Sequence, residues 1–307
     1  MHRKLVFNKG SYLLTLPKKW VDDNKLTNQN EVKIIQEENQ LIIQAEDYQR
    51  PFKEREIFAK ESLEDNIRGI IFTMVRLGYD RFKIFFDKKE KEKFTKTISK
   101  IIEDYVFGYE IVEIKENYCI IDNVITAPTN VENIEKKSLL IVKDTFNELI
   151  KILSENKVKI NSIIAHNKKM VQFDSLLRNN YSRHPLKNNP FKWQRYRDTY
   201  VIQRELLNLA KISTTQDKKS RRFIVKILKK LEEIFNEIYL ANYKYDDPAH
   251  LEKTGVKIII TENEINTKIN KIKDIEPLIL CYLFEIARTI NLFNYTLLQL
   301  KISEGDD

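Results

Sequence analysis

The sequence predicts an α+β protein whose strands lie within roughly its first 125 residues and whose remainder is a helical bundle. Three observations carry this. Short alternating runs of apolar and polar residues fill the first 47 positions. Two helix-then-strand runs follow, each broken by a glycine. From about Val131 onward, apolar residues recur at spacings of three and four. Composition agrees: among 307 residues, 32% are charged and only 6 Gly and 7 Pro interrupt the chain, which favours long helices. A hydrophobic fraction of 42% is enough for a real core.

Residues 1–47 form the first unit. Strands are expected at 3–8 and 11–16, joined by the turn dipeptide Lys9-Gly10. Pro17 then opens a short helical turn through Lys18, Lys19, Trp20 and Val21. Two further strands, 31–37 and 40–45, flank Glu38-Asn39 and complete a ββαββ unit. So small a sheet can scarcely bury its own apolar face, so it should pair with a second copy.

Residues 55–126 read as a small α/β connector. A helix ending at Leu77-Gly78-Tyr79-Asp80 feeds a strand at 82–86. A second helix, 91–105, ends at Gly108-Tyr109-Glu110 and feeds strands at 111–115 and 118–124. Both glycines are expected at helix C-caps, which need a left-handed residue.

Residues 130–307 read as five or six helices in two repeated halves. One-sided apolar faces are formed by Leu139, Val142, Phe146, Leu149 and Leu153, and by Ile160, Ile163, Met170, Phe173 and Leu177. The same pattern holds for Ile224, Ile227, Leu231, Ile234 and Ile238. It is cleanest in Ile279, Leu283, Ile286, Ile290, Phe293, Leu297 and Leu300. A more polar helix is expected from Tyr196 to Ser213. Prolines at 185–190, 248 and 277 mark the breaks. Leu206-Leu207-Asn208-Leu209-Ala210-Lys211 matches Leu283-Phe284-Glu285-Ile286-Ala287-Arg288, which suggests the repeat.

No run approaches the roughly 20 apolar residues of a membrane span, and the opening residues lack a signal-peptide core, so a cytoplasmic address without membrane insertion is expected. Cys119 and Cys281 sit in apolar settings and read as buried thiols of a reducing compartment. The net charge is +8, and its distribution is uneven. Arg3, Lys4, Lys9, Lys18 and Lys19 precede the first acid, Asp22. A second basic stretch, 178–230, interleaves Arg195, Arg197 and Arg204 with Trp193, Tyr196 and Tyr200. Such clustering raises the prospect of a polyanionic partner, although a solvated helix face explains the second stretch about as well.

The segment Arg3-Lys4-Leu5, Lys9-Gly10-Ser11-Tyr12, Leu14-Thr15-Leu16-Pro17-Lys18-Lys19-Trp20 resembles the first half of a SpoVT/AbrB module. Glu31-Val32-Lys33-Ile34 and Leu41-Ile42-Ile43 resemble its second half. The resemblance implies a swapped-hairpin dimer that binds DNA through basic residues of the first hairpin. The remainder, by domain order, helix lengths and its Gly-Tyr-Asp and Gly-Tyr-Glu turns, is similar to archaeal PhoU-like proteins that carry such a module in front. That implies a role in phosphate uptake regulation, and metal clusters held by acidic motifs on the bundle helices. Here the second helix keeps one acid, Asp174, where the family has several, and Lys211 and Arg288 stand where metal-binding acids would be. Hard cations need several oxygen ligands, so no metal and no cofactor is expected.

The expected DNA contacts are therefore Arg3, Lys4, Lys9, Lys18 and Lys19, with Trp20 as packing. An anion-binding role is the sharper reading of Lys211 and Arg288. His2, His166, His184 and His250 are scattered and read as surface or capping residues. Adjacent acids such as Glu64-Asp65, Glu103-Asp104 and Glu232-Glu233 diverge on a helix and form no catalytic pair. There is no phosphate-cradling loop and no nucleophile elbow, so no enzyme is expected. The reading is a DNA-binding transcriptional regulator, at least a homodimer, whose helical body senses, oligomerises or binds a protein partner. Its rival is an interaction protein that docks on a transporter or signalling partner and uses the first module only to dimerise.

Overall fold

The computed structural model of the chain describes residues 3–26, 31–37, 40–45, 52–59, 63–125, 130–183, 190–244, 248–269 and 275–305. The chain divides into two compact units, Met1–Phe52 and Lys53–Asp307.

In the first unit, β1 (Leu5–Asn8) and β2 (Ser11–Leu14) form an antiparallel hairpin, shorter than the expected 3–8 and 11–16. Lys9 and Gly10 both take positive φ, 46° and 90°, as a two-residue turn of the primed type requires. Pro17, at φ −60°, leads into α1 (Lys18–Asp23). A second ladder pairs β3 (Val32–Glu37) with β4 (Gln40–Ala45). The two ladders are separate sheets. Leu5, Val6, Phe7, Tyr12, Leu13 and Leu14 are all exposed, so among the described residues neither face of the first hairpin is covered.

The second unit opens with a strand that sequence patterning missed, β5 (Glu54–Phe58). Three of its five residues are charged, so no apolar alternation marks it. The sheet continues through β6 (Arg81–Phe85), β7 (Tyr109–Ile114) and β8 (Tyr118–Asn123), with α2 (Glu64–Arg76) and α3 (Lys91–Tyr105) between them. Its order is β5-β6-β8-β7, with β5 parallel to β6 and the other pairings antiparallel. Phe82, Ile84, Cys119 and Ile121 of the sheet bury against Ile67, Ile71 and Val75 of α2 and Phe94, Ile98 and Ile101 of α3.

Gly78 (φ 72°) ends α2 as expected: its N–H and that of Tyr79 donate to the carbonyls of Val75 and Met74 at 3.0 and 3.2 Å. Gly108 differs from expectation. The C-cap of α3 is Val106 in an extended conformation, and Gly108 (φ 79°) turns the chain into β7.

Six helices complete the unit: α4 (Val131–Ser154), α5 (Asn161–Arg183), α6 (Pro190–Ser213), α7 (Lys218–Tyr243), α8 (Pro248–Ile269) and α9 (Pro277–Gly305). Three of them start on the proline that sequence marked as a break, where a missing N–H costs nothing. Within α4–α6 each helix packs on the other two, and α7–α9 do the same; across the two sets, α4 meets α7 and α6 meets α9. Phe146, Phe235 and Phe293 join α4, α7 and α9 at ring separations of 6.0 and 6.2 Å. The four apolar faces read from sequence are buried, with Ile160 and Phe173 only half so.

The polar helix, α6, begins at Pro190, earlier than expected, and is enclosed by α4, α5 and α9. Arg195, Asp198, Thr199, Gln203, Glu205 and Ser213 are buried along it. A helix surrounded on several sides has no single apolar stripe to announce it. Cys119 is buried as expected, and that burial pushes its thiol up to about 12. Cys281 is exposed, contrary to expectation, because it falls on the outward face of α9 with Leu278 and Arg288.

The α/β layer is fastened to the bundle through α5, on which α2 and α3 both pack. Asp174, fully buried, accepts from Arg76 of α2 and from Arg178 of its own helix, each at 2.7 Å. One turn on, the Asn179 side-chain amide donates to the Val75 carbonyl at 2.6 Å and to the Tyr109 hydroxyl at 2.8 Å. Tyr109 in turn donates to the Tyr79 carbonyl at 2.6 Å, and Arg183 pairs with Asp80 at 3.0 Å.

Replacing Asp174 by Ala strands two guanidinium groups at this seam and should destabilise the Lys53–Asp307 unit by about 3 kcal/mol in urea unfolding. Two glycine substitutions should have opposite signs. Gly108→Ala keeps a left-handed φ and drives its Cβ into Ile125, so it should cost about 2 kcal/mol or more. Gly69 lies inside α2, and a methyl group added there would meet nothing within 4 Å. Gly69→Ala should therefore stabilise by up to about 1 kcal/mol, read as a higher Tm.

Candidate nucleic-acid interface

Arg3 and Lys4 precede β1, Lys9 is the first turn residue of the hairpin, and Lys18 and Lys19 open α1. All five are exposed, and among the described residues no ion pair involves any of them. Cations at a helix N-terminus gain nothing from the helix dipole, so the stability of α1 does not account for Lys18 and Lys19. Trp20 is half-buried. Lys25 and Lys33 are also exposed on this unit and were passed over in the sequence, where neighbouring acids obscured them.

The second basic stretch behaves differently. Arg178 is held by Asp174 and lies 4.5 Å from the centre of the Trp193 ring, which itself packs 4.9 Å from Tyr181. Arg183 is paired with Asp80, buried Arg195 with Glu135, and Arg204 with Glu205. Glu264 takes both Lys226 and Lys230, and Arg221 donates to Asn156. Tyr196 is buried. Of the Arg–aromatic alternation that suggested a stacking surface, Arg195 and Tyr196 are buried and Trp193 and Tyr200 are half-buried. Lys192, Arg197 and Arg222 remain exposed. Lys187 and His184 lie outside the described residues, as does His2.

Lys211 and Arg288 do not converge on one site. Arg288 donates to both oxygens of Glu285, at 2.7 and 3.0 Å, and Glu262 and Asp198 add their influence to the same guanidinium. Lys211 is exposed on the last turn of α6, where a cation suits the helix dipole. Asp198, the α6 residue that senses Arg288, is 13 residues away, about 20 Å along the axis. An incoming anion at Arg288 would meet carboxylates, so the anion-binding reading lacks a built site.

Asp174, the one acid kept on the second bundle helix, has both oxygens bonded to arginine and is a structural anchor. Among the described residues no group of three or more His, Cys, Asp or Glu is placed to share a metal ion. The adjacent acids point outward to lysine or arginine: Glu64 to Lys100, Asp65 to Arg68, Asp104 to Lys168. The His166 ring nitrogen lies 3.0 Å from the Thr145 hydroxyl. No helix among the described residues is long and apolar enough to cross a membrane.

Asp198 is the most perturbed acid of the bundle. Burial pushes its carboxyl up to about 6, against the pull of Arg197, the Gln194 side-chain bond (2.8 Å) and Arg288. Its folded value lies above its unfolded one, so the folded state takes up a proton more readily. Stability should therefore rise as pH falls from about 7 towards 4, by an amount on the order of 2 kcal/mol from this group. Asp198→Asn should raise Tm at pH 7.5 and flatten that part of the Tm–pH profile.

Compared with family models, curated proteins and solved structures, the chain finds no match.

Proposed function

We propose that the chain is a non-enzymatic, DNA-binding regulator in which the first unit, paired with a second copy, contacts DNA through Arg3, Lys4, Lys9, Lys18 and Lys19. The observation that carries this reading is a contrast in charge. The five cations of the first unit are exposed and have no acid partner among the described residues, whereas most arginines of the 178–230 stretch are engaged within the fold. Unneutralised cations are what release counterions from a phosphate backbone.

The uncovered hairpin supports the pairing. Six apolar residues of β1 and β2 are between 44% and 68% exposed, and a second copy would cover them. The resemblance to AbrB modules adds the swapped-hairpin geometry, and the resemblance to PhoU-like proteins makes phosphate uptake the first process to examine. The helical body then oligomerises, senses a signal or binds a protein partner.

The same apolar hairpin favours a second reading, in which the first unit only dimerises and the body docks on a transporter or signalling protein. DNA binding across a salt series separates the two. The intact chain is compared with a variant carrying alanine at all five positions, with sedimentation reporting whether each remains a dimer. Loss of five to ten phosphate contacts per dimer should make the log–log salt slope shallower by about 4 to 9. Equal binding by both proteins would move the contact surface elsewhere; a dimer that binds no DNA would leave only the second reading.

A further inference from the structure

The sheet of the second unit has, among the described residues, an unpaired edge beside a groove. Among the described residues β5 pairs only with β6, so the backbone groups along its other side have no strand opposite them. Between that edge and α2 runs a groove of about 870 Å³, lined by Arg55, Ile57 and Ala59 of the strand side and Gly69, Ile70 and Met74 of the helix, among others. We propose that this groove receives an extended peptide segment, which adds to the sheet beside β5 and places an apolar side chain over Gly69 and a carboxylate on Arg55.

Backbone chemistry selects the shape of the occupant. A row of unpaired N–H and C=O groups is satisfied by another extended chain, and side chains two residues apart then supply the selectivity. The ladder register fixes which residues of β5 face the groove. Arg55 and Ile57 stand opposite Phe82 and Ile84, which are buried beneath the helices, so both belong to the helix-covered side. Glu54, Glu56 and Phe58 belong to the other face, where Phe58 stacks on Phe85 at 4.8 Å.

Two features are left without an explanation by the fold alone. Gly69 weakens the middle of α2, yet it has ordinary helical φ and nothing within 4 Å of where a Cβ would stand. Neither close packing nor a turn requires a glycine there. Gly69 lines the groove beside Ile70, so a larger side chain there would take up space within it. The second feature is charge. Arg55 is the cation among the lining residues and has no ion pair among the described residues. Two acids also line the groove and each pairs with a cation, Asp65 with Arg68 and Glu56 with Lys83. A carboxylate two residues from the apolar anchor, about 7 Å along an extended chain, would complement it.

The test uses the full chain and immobilised capped hexapeptides, Thr-X-Thr-Z-Thr-Gly, with X and Z each varied through all residues. An apolar residue at one position and Asp or Glu at the other should be selected, and anisotropy with the best labelled peptide should give a saturable affinity. Gly69→Leu, which leaves α2 a good helix, should weaken that affinity at least tenfold while Tm is maintained. Arg55→Glu should reverse the charged position, so that Lys or Arg peptides bind instead. Absence of binding, absence of selectivity, or indifference to both variants would overturn the proposal. So would Ile57→Cys cross-linking two copies in good yield with no peptide bound, since the edge would then pair with itself.

Discussion

The buried carboxylate of Asp174 is the constraint around which the second unit is arranged. It is a charge removed from water, and only its two arginine partners make that tolerable. One partner comes from α2 and the other from α5, so satisfying the carboxylate also docks the α/β layer on the bundle. Asn179, Tyr109 and the carbonyls of Val75 and Tyr79 extend the same seam with hydrogen bonds that close around the end of α2. Their geometry depends on Gly78, which ends that helix in a left-handed turn and presents Tyr79 to Tyr109. These ion pairs and hydrogen bonds are directional, so they specify one docking orientation where a purely apolar contact would tolerate sliding.

Charge is partitioned between the two units in a way that net charge alone conceals. In the second unit, Arg76, Arg178, Arg183, Arg195 and Arg204 serve acids of the same unit, Arg76 and Arg195 those of another helix. Arginine suits this because its planar fork can bridge two elements and stack on a ring, as Arg178 does on Trp193. The first unit holds lysines and an arginine around a hairpin with no comparable partners among the described residues. Its hairpin also keeps apolar residues on both faces. Both properties motivate the proposal that a second copy and DNA complete this surface.

The meeting of α6 and α9 sets the character of the bundle interior. α9 brings an almost continuous apolar face, while α6 brings Gln203, Asp198 and Thr199 into the same interior. Enclosing Asp198 raises its proton affinity, and Arg288, already bonded to Glu285, offsets that only in part. Packing a polar helix centrally thus pushes the Asp198 carboxyl up to about 6.

Fold class, strand hairpins and helix faces were all legible in the order of residues. Periodicity of two or 3.6 is a local property that burial on one side imprints directly, as in Ile279 to Leu300 on α9. Helix ends at Gly78 and the prolines at 190, 248 and 277 were legible for the same local reason, since they act through φ and a missing donor. Pairings between distant residues were settled only by the three-dimensional arrangement. β5 carries three charges because it is an edge, and its strand nature comes from β6. Arg183 and Arg195 could be read as part of a nucleic-acid surface until Asp80 and Glu135 were brought to them from elsewhere in the chain. Lys211 and Arg288 share a motif yet have different neighbours, because equal local sequence does not fix what packs across from it. A charge in a sequence has a sign but no partner, and it is the partner that separates a structural ion pair from a binding residue.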